Sequence, residues 1–253
     1  MTRNVNGIRA VMKKGFLDFL QTEDPDILCL QETKAFHHQM PAPLKSLYHI
    51  NRHAGQRPGY ATAIFSKKAP KEAIQTFAHS ETFHEHGRIT ECRYDGFTII
   101  NVYFPNGNPR ADGSDMLQYK LTFYNDLVAY IKKRKAEGEH IIVTGDFNIC
   151  HTRIDIARPD ANKKSIGFLP EEREKLSRFL EEAGLVDTFR HFYPEKTDEY
   201  TRWSCRAARP RNVRRLDCFM VQKELIERVE SFNHRQDIMG SDHCPVQIVL
   251  KTE

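Results

Sequence analysis

Apolar and β-branched residues gather in six short runs along the chain: Ile27 to Leu30, Ala61 to Phe65, Phe97 to Phe104, Ile141 to Val143, Leu216 to Val221 and Val246 to Leu250. Each has strand length and is bounded by turn residues, so each predicts a β-strand. Between them, Leu121, Tyr124, Leu127, Val128 and Ile131 recur at helical spacing, as do Leu176, Phe179, Leu180 and Ala183, with Gly138 and Gly184 placed to end those helices. Gly15 to Asp24 and Lys223 to Val229 predict shorter helices. Strands dispersed among helices, some close enough for hairpins, imply mixed sheets covered by helices rather than a simple βαβ alternation.

The 253 residues contain no repeat and no Pro/Gly/Ser-rich linker, and 40% of them are hydrophobic, enough for a sizeable core. One domain over residues 1–253 is therefore expected. The N-terminus lacks an apolar leader and no stretch approaches the ~18 apolar residues of a membrane span, so a soluble, cytoplasmic protein is expected. Nothing resembles a zipper or an exposed apolar stripe, which makes a monomer the expected state. The six cysteines, Cys29, Cys92, Cys150, Cys205, Cys218 and Cys244, form no Cys-x-x-Cys pair and suit buried thiols better than disulfides or zinc.

The net charge of +4 says little, but its distribution says more. Six arginines (Arg202, Arg206, Arg209, Arg211, Arg214 and Arg215) and no acid lie between Arg202 and Leu216, a pattern suited to phosphates. The alternating Glu171-Glu172-Arg173-Glu174-Lys175 predicts a solvated helix face, and Lys132-Lys133-Arg134-Lys135 complements a helix C-terminus.

Polar groups cluster where the apolar runs stop. Glu32 follows the first run, Asp146 and Asn148 follow Ile141 to Val143, and Asp242 and His243 precede the last. Asp217 instead interrupts a run and would be half buried, which is costly without a partner. An imidazole is the natural partner, so Asp217 is expected to orient His243. Asn4 and Asn6 add amides and Tyr103 a phenol. Hard oxygen ligands with few thiolates favour Mg2+ or Mn2+ over zinc, and phosphate-ester chemistry over peptide cleavage.

Eight strings then occur in order: Asn4-Val5-Asn6-Gly7-Ile8-Arg9-Ala10, Leu30-Gln31-Glu32-Thr33-Lys34, Asn101-Val102-Tyr103-Phe104-Pro105-Asn106-Gly107, Gly145-Asp146-Phe147-Asn148, Asn162-Lys163-Lys164, Gly167-Phe168, Arg215-Leu216-Asp217 and Ser241-Asp242-His243-Cys244-Pro245. Together they resemble the motifs of the exonuclease III type apurinic/apyrimidinic endonucleases of the endonuclease/exonuclease/phosphatase superfamily. The resemblance implies a four-layered α/β sandwich of two packed mixed β-sheets flanked by helices. It also implies Glu32 as principal metal ligand, with Asn4, Asn6 and Asp242 around the same ion or its waters and Asp146, Asn148 and His243 in the metal environment. Asp146, helped by Asn148, would orient and deprotonate the attacking water. His243, held by Asp217, and Tyr103 would contact the scissile phosphate. Arg9, Asn106, Asn162, Lys163 and Lys164 match positions that hold the DNA backbone, with Arg202 and Trp203 added from the arginine-rich segment.

The implied activity is hydrolysis of double-stranded DNA 5′ to abasic sites, with processing of blocked 3′ ends and 3′ to 5′ exonuclease activity. A superfamily phosphoesterase on a non-DNA substrate, or a silent nucleic-acid-binding module, are the alternatives. The chain departs from the pattern at its start, where only three residues precede Asn4, implying a short first strand or a start placed too far downstream. Arg202 and Cys205 stand at aromatic positions, and Asn212-Val213-Arg214 replaces a Gly-Trp with one residue fewer. These changes exchange apolar pocket walls for phosphate affinity and predict weaker abasic-site cleavage relative to 3′-end processing, unless Trp203 and its neighbours rebuild the pocket with the arginines stacked on it.

Overall fold

The computed structural model describes residues 1–53, 58–74, 87–111, 113–203 and 213–251. Its strands are β1 (Thr2–Asn4), β2 (Ile27–Gln31), β3 (His49–His53), β4 (Thr62–Ser66), β5 (Glu72–Ile74), β6 (Ile89–Tyr94), β7 (Phe97–Tyr103), β8 (Ile141–Asp146), β9 (Leu185–Asp187), β10 (Asp217–Gln222), β11 (Val229–His234) and β12 (Val246–Leu250). They form two six-stranded sheets, ordered β11-β12-β1-β2-β4-β3 and β5-β6-β7-β8-β10-β9. Each sheet has one parallel pair near its centre, β1 with β2 and β7 with β8, in otherwise antiparallel surroundings. All six predicted strands are present. The six that carry no apolar run are short or mix polar with apolar residues, as in the Val-Glu-Ser-Phe-Asn-His of β11, and β1 has only three residues.

Side chains on a strand alternate between faces, so each apolar run is divided between two cores. Cys29, Ile64, Ile99, Ile142, Phe219, Val221 and Val246 meet in a core between the sheets. The alternate residues Ile100, Val102, Ile141, Val143 and Met220 face outward, where helices Met116–Ala136 and Pro170–Ala183 cover them with Phe123, Tyr124, Leu127, Ile131, Leu176 and Phe179. On the other sheet Leu28, Leu30, Ala63 and Phe65 pack under helices Ile8–Met12, Phe16–Glu23 and Ala42–Leu47 through Ile8, Phe16, Leu20 and Leu44. The result is the expected four-layered α/β sandwich. The same alternation places Gln31, Asn101, Tyr103, Asp146 and Asp217 on the inner faces, with the apolar inner core behind them.

Two helix ends match the sequence expectations. Gly184, left-handed at φ 65°, caps Pro170–Ala183, and three basic residues occupy the last turn of Met116–Ala136. Lys223–Arg228 is a 3₁₀ rather than an α-helix. Glu172 overturns the solvated-face expectation, because it is fully buried, 2.6 Å from Nζ of the equally buried Lys120, and accepts backbone N–H bonds from Gly167 and Leu169. Among the described residues five cysteines are free and buried, Cys205 lying outside them, and no helix is long and apolar enough to cross a membrane.

Two features of this frame give testable expectations. Gly145 has φ +134°, and a Cβ there would lie 1.9 Å from the carbonyl oxygen of Val102 on the adjacent strand. Gly145→Ala should cost at least about 3 kcal/mol, read as a melting-temperature drop on the order of 6–12 °C. Arg215, expected to face phosphates, is instead buried between Asp155 (Nε to Oδ1, 2.7 Å) and Asp187 (Nη2 to Oδ2, 2.7 Å). Burial would raise the Asp155 carboxyl, but Arg215 and Arg190 outweigh it and hold it well below the ordinary range. A depressed folded-state value stabilises the fold above the unfolded carboxylate range near ~4 and ceases to do so as pH falls towards the folded value. Asp155→Asn should therefore cost about 3–5 kcal/mol at neutral pH, with the difference from wild type shrinking in urea titrations run at progressively more acid pH.

Candidate active site

The inter-sheet face opens at one end, and polar groups from both sheets bridge it there. Within each sheet, register aligns them: Asp146 pairs with Tyr103 on one side and with Asp217 on the other, while Asn4 pairs with Gln31. Between sheets, the amide of Asn4 donates to Asp146 Oδ2 (3.0 Å) and Gln31 Nε2 donates to Asn101 Oδ1 (2.7 Å); within its own sheet the Asn4 amide also donates to Glu32 Oε1 (2.9 Å). His243 Nδ1 lies 2.7 Å from Asp217 Oδ2, the predicted pairing, although Asp217 proves wholly rather than half buried.

The carboxylates are held in place by core residues that flank them. Phe147 is buried against Phe104 (centroids 4.7 Å apart) and Phe179 (6.2 Å), and its carbonyl accepts the Tyr124 hydroxyl at 2.7 Å. With Phe147 anchored, Asp146 and Asn148 project into the site; Asn148 donates its backbone N–H to Asp146 Oδ1 (3.0 Å) and its amide to the Phe104 carbonyl (2.9 Å). Lys120 donates to the carbonyls of Asn148 (2.8 Å) and Asn106 (3.3 Å), tying both loops to one buried ammonium. Glu32 has φ 49°, a left-handed backbone that a non-glycine residue adopts at a cost of about 1–3 kcal/mol. Backbone bonds from Val5 and Gly7 to the carbonyls of Gln31 and Glu32 hold it there.

Charge follows from burial and neighbours. Burial pushes the Asp146 carboxyl up to about 7, aided by Asp217 and opposed by His243 and Asn4. Burial would lower the His243 imidazole, but Asp217 and its hydrogen bond, then Asp146 and Asp242, outweigh it and raise it to about 9. Its Nε2 faces Asp146 Oδ2 at 3.9 Å. Burial, with Glu32 and Asp146 nearby, keeps the Tyr103 phenol well above its ordinary value, protonated and donating to Glu32. Glu32 and Asp242 are lowered despite burial, the first mainly by the Asn4 amide and Lys34, the second mainly by His243 and Asn6.

Asp146, Asp217 and His243 bring ligand atoms within 4.8 Å of one another, yet a 2.7 Å contact between Asp217 and His243 is a charge-assisted hydrogen bond with no room for an ion. A divalent cation fits better at Glu32. There the Lys34 ammonium lies 3.0 Å from Glu32 Oε2 and also donates to Asn6 Oδ1, while Asp242 Oδ1 accepts from the Asn6 amide at 3.1 Å. A cation is thus already attracted to this group of hard oxygens, which suits a divalent metal. His243 has Nδ1 committed to Asp217, which leaves Nε2 turned towards Asp146 and the open end of the site.

The DNA-contact expectations divide. Arg9, Asn106, Lys163 and Lys164 are exposed. Asn162 is buried, and its amide donates to the carbonyls of Ala157 and Arg158 at 3.0 Å each, so it shapes its own loop and is a correction to the expected DNA contact. Arg202 and Arg214 line the cavity of about 180 Å3 that also contains Glu32, Asp146 and His243, and Trp203 is not among the lining residues. Arg206, Arg209 and Arg211 lie outside the described residues. Sequence reasoning missed Arg3, whose guanidinium donates to the carbonyls of His243 (3.1 Å) and Met239 (2.8 Å), and Thr201, whose hydroxyl accepts the N–H groups of Leu216 and Asp217. An arginine inside a short first strand was the one available signal, since burial of that charge demands acceptors.

Comparison with known proteins agrees with this geometry. The chain matches the endonuclease/exonuclease/phosphatase family over residues 1–243. It is 40% identical over 251 residues to an exodeoxyribonuclease of Bacillus subtilis (98% of this chain, 97% of that protein). It is 42% identical to a DNA-(apurinic or apyrimidinic site) endonuclease of Dictyostelium discoideum (98% of this chain, 69% of that protein). Among solved structures, an AP endonuclease from Archaeoglobus fulgidus superposes with a TM-score of 0.87 at 28% identity (99% of this chain, 98% of that one). A Neisseria 3′ phosphatase bound to a product DNA hairpin gives 0.88 at 25% identity over the same shares. With its two bridged sheets, its hydrogen-bonded Asp217 and His243 and its carboxylates at the open end, the chain belongs to the endonuclease/exonuclease/phosphatase family.

Proposed function

We propose that the chain is a DNA-repair phosphodiesterase that hydrolyses the backbone 5′ to abasic sites, processes blocked 3′ ends and has 3′ to 5′ exonuclease activity, with Mg2+ or Mn2+ as its cation. The observation that carries this reading is that Asp146 and His243 face each other at 3.9 Å, each held by its own partner, beside Glu32 and its cation-attracting oxygens. Glu32, with Asn6 and Asp242 beside it, would hold the cation, which when bound would neutralise charge at the phosphate and the departing oxygen.

This chain's residues do the rest. Asp146, fixed by Asn4 and the Asn148 N–H, orients a water and takes its proton, and its raised affinity for that proton suits a base working near neutral pH. His243, kept charged by Asp217, donates from Nε2 to a phosphate oxygen as negative charge builds there, and the protonated Tyr103 can do the same. Arg9, Lys163 and Lys164, exposed as charged groups, would position the backbone of the duplex without reading its sequence.

A duplex with one internal abasic site should be nicked when Mg2+ is present, with activity lost to chelator and regained on adding metal. Asp146→Asn and His243→Ala should each lower kcat by roughly 10²–10³-fold; His243→Ala, which leaves the buried Asp217 without its partner, should also melt below wild type, so circular dichroism verifies that the protein assayed is folded. Cleavage of no DNA substrate in the presence of metal would leave a nucleic-acid-binding module, and phosphate release from small phosphoesters alone would move the chemistry to another substrate. Asp217→Asn should lower kcat with little change in KM, because it removes the partner that keeps His243 oriented and charged.

A further inference from the structure

Arg202 and Arg214 face each other across an isolated antiparallel bridge, with backbone bonds of 2.9 Å from Arg202 N to Arg214 O and 3.0 Å in return. Residues exchanging both bonds in this way present their side chains on one side, and both side chains line the cavity that holds Asp146 and His243. The pair is rigidly built. Arg202 also bridges His243, Arg214 also bridges Ile156, and Nη1 of Arg214 donates to the Ile166 carbonyl at 2.7 Å. Gly167, at φ +87°, makes room for that guanidinium, since a Cβ there would lie 2.7 Å from Nη1.

Like charges placed opposite each other are destabilising without compensation. Here the carboxylate nearest Arg202 is Asp242, at 3.9 Å and already accepting from Asn6, and the buried Nε of Arg214 has no hydrogen-bond partner among the described residues. Two forked donors at the end of a small polar cavity, next to the groups that would activate the water and contact the phosphate, match a compact anion. Among the described residues a neutral base-free sugar would find few apolar walls there, Ile166 and Leu216 being the aliphatic ones.

We infer that Arg202 and Arg214 form an anion subsite beside the scissile phosphate, so that the favoured substrates are 3′ ends carrying more negative charge there than a phosphodiester does, either a terminal phosphate, which is itself the group released, or a carboxylate-bearing phosphoester. The inference rests on the phosphoester-hydrolase reading above. Water oxygen bonds to phosphorus as the bond from phosphorus to O3′ breaks. Asp146 takes the water's proton, O3′ gains one from solvent to become a hydroxyl, and phosphate, or a phosphate ester carrying the carboxylate, departs towards the arginines.

Three duplexes of one sequence test it: a 3′-terminal phosphate, a 3′-phosphoglycolate and an internal tetrahydrofuran abasic analogue, each with Mg2+. Wild type should favour the anionic ends in kcat/KM by at least about tenfold, and Arg202→Gln or Arg214→Gln should each lower the anionic-to-neutral ratio by roughly 10–100-fold. Arg214→Lys should restore part of that ratio, and melting curves verify folding. A ratio lost for one anionic end alone assigns the subsite to that group, and loss for both assigns it to the shared charge. Equal losses on all three duplexes, or a wild-type preference for the abasic analogue, would overturn the inference while leaving the phosphodiesterase reading intact. Cleavage of none of the three would overturn both.

Discussion

Burying carboxylates between two sheets is possible in this protein because each finds its partner on the opposite sheet. Asp217, wholly buried on β10, is matched by His243 just ahead of β12, and Asp146 on β8 is matched by Asn4 on β1. An isolated carboxylate at either place would cost several kcal/mol or hold a proton permanently. The polar bridges thus fix how the sheets meet at the open end, and the sheets in turn fix the bridges. Structure and chemistry depend on the same few contacts.

Behind that polar end, the outer layers keep the reactive groups still. The stacked rings of Phe104, Tyr124 and Phe147 anchor the residue between Asp146 and Asn148. The Lys120 and Glu172 ion pair, dry and closed at 2.6 Å, reaches under two site loops at once. Such a pair contributes little net stability compared with apolar packing. Its value is geometric: a fixed ammonium sets two carbonyls, and these set the loops bearing Asn106 and Asn148.

The arginine-rich segment has lost its uniform character. Arg215 is a core residue neutralised by Asp155 and Asp187, whereas its neighbour Arg214 turns into the cavity with Arg202. Adjacent residues of an extended chain point to opposite sides, so one basic run serves both the interior and the site. The same alternation explains why Asn101 and Gln31, set in apolar strands, join the sheets rather than weaken them.

Much of this was legible in the chain. Apolar runs located six strands because burial on both faces leaves a continuous signal; polar residues where the runs stop drew attention to Glu32, Asp146, Asn148, Asp242 and His243, and a carboxylate interrupting a run drew attention to Asp217, because such residues are otherwise rare beside a core. The partly polar strands β3, β6 and β11 left no such signal, since one face of each meets water or buried polar partners. Tertiary structure alone decided that Glu172 is buried, that Asn162 ties its own loop, that Lys34 sits on Glu32, and that Arg202 faces Arg214. Sequence determines which groups are available and which face of an element they occupy, because those follow from local periodicity. Partnership between residues distant in the chain depends on how layers pack, and only the packed layers set which charge lies opposite which.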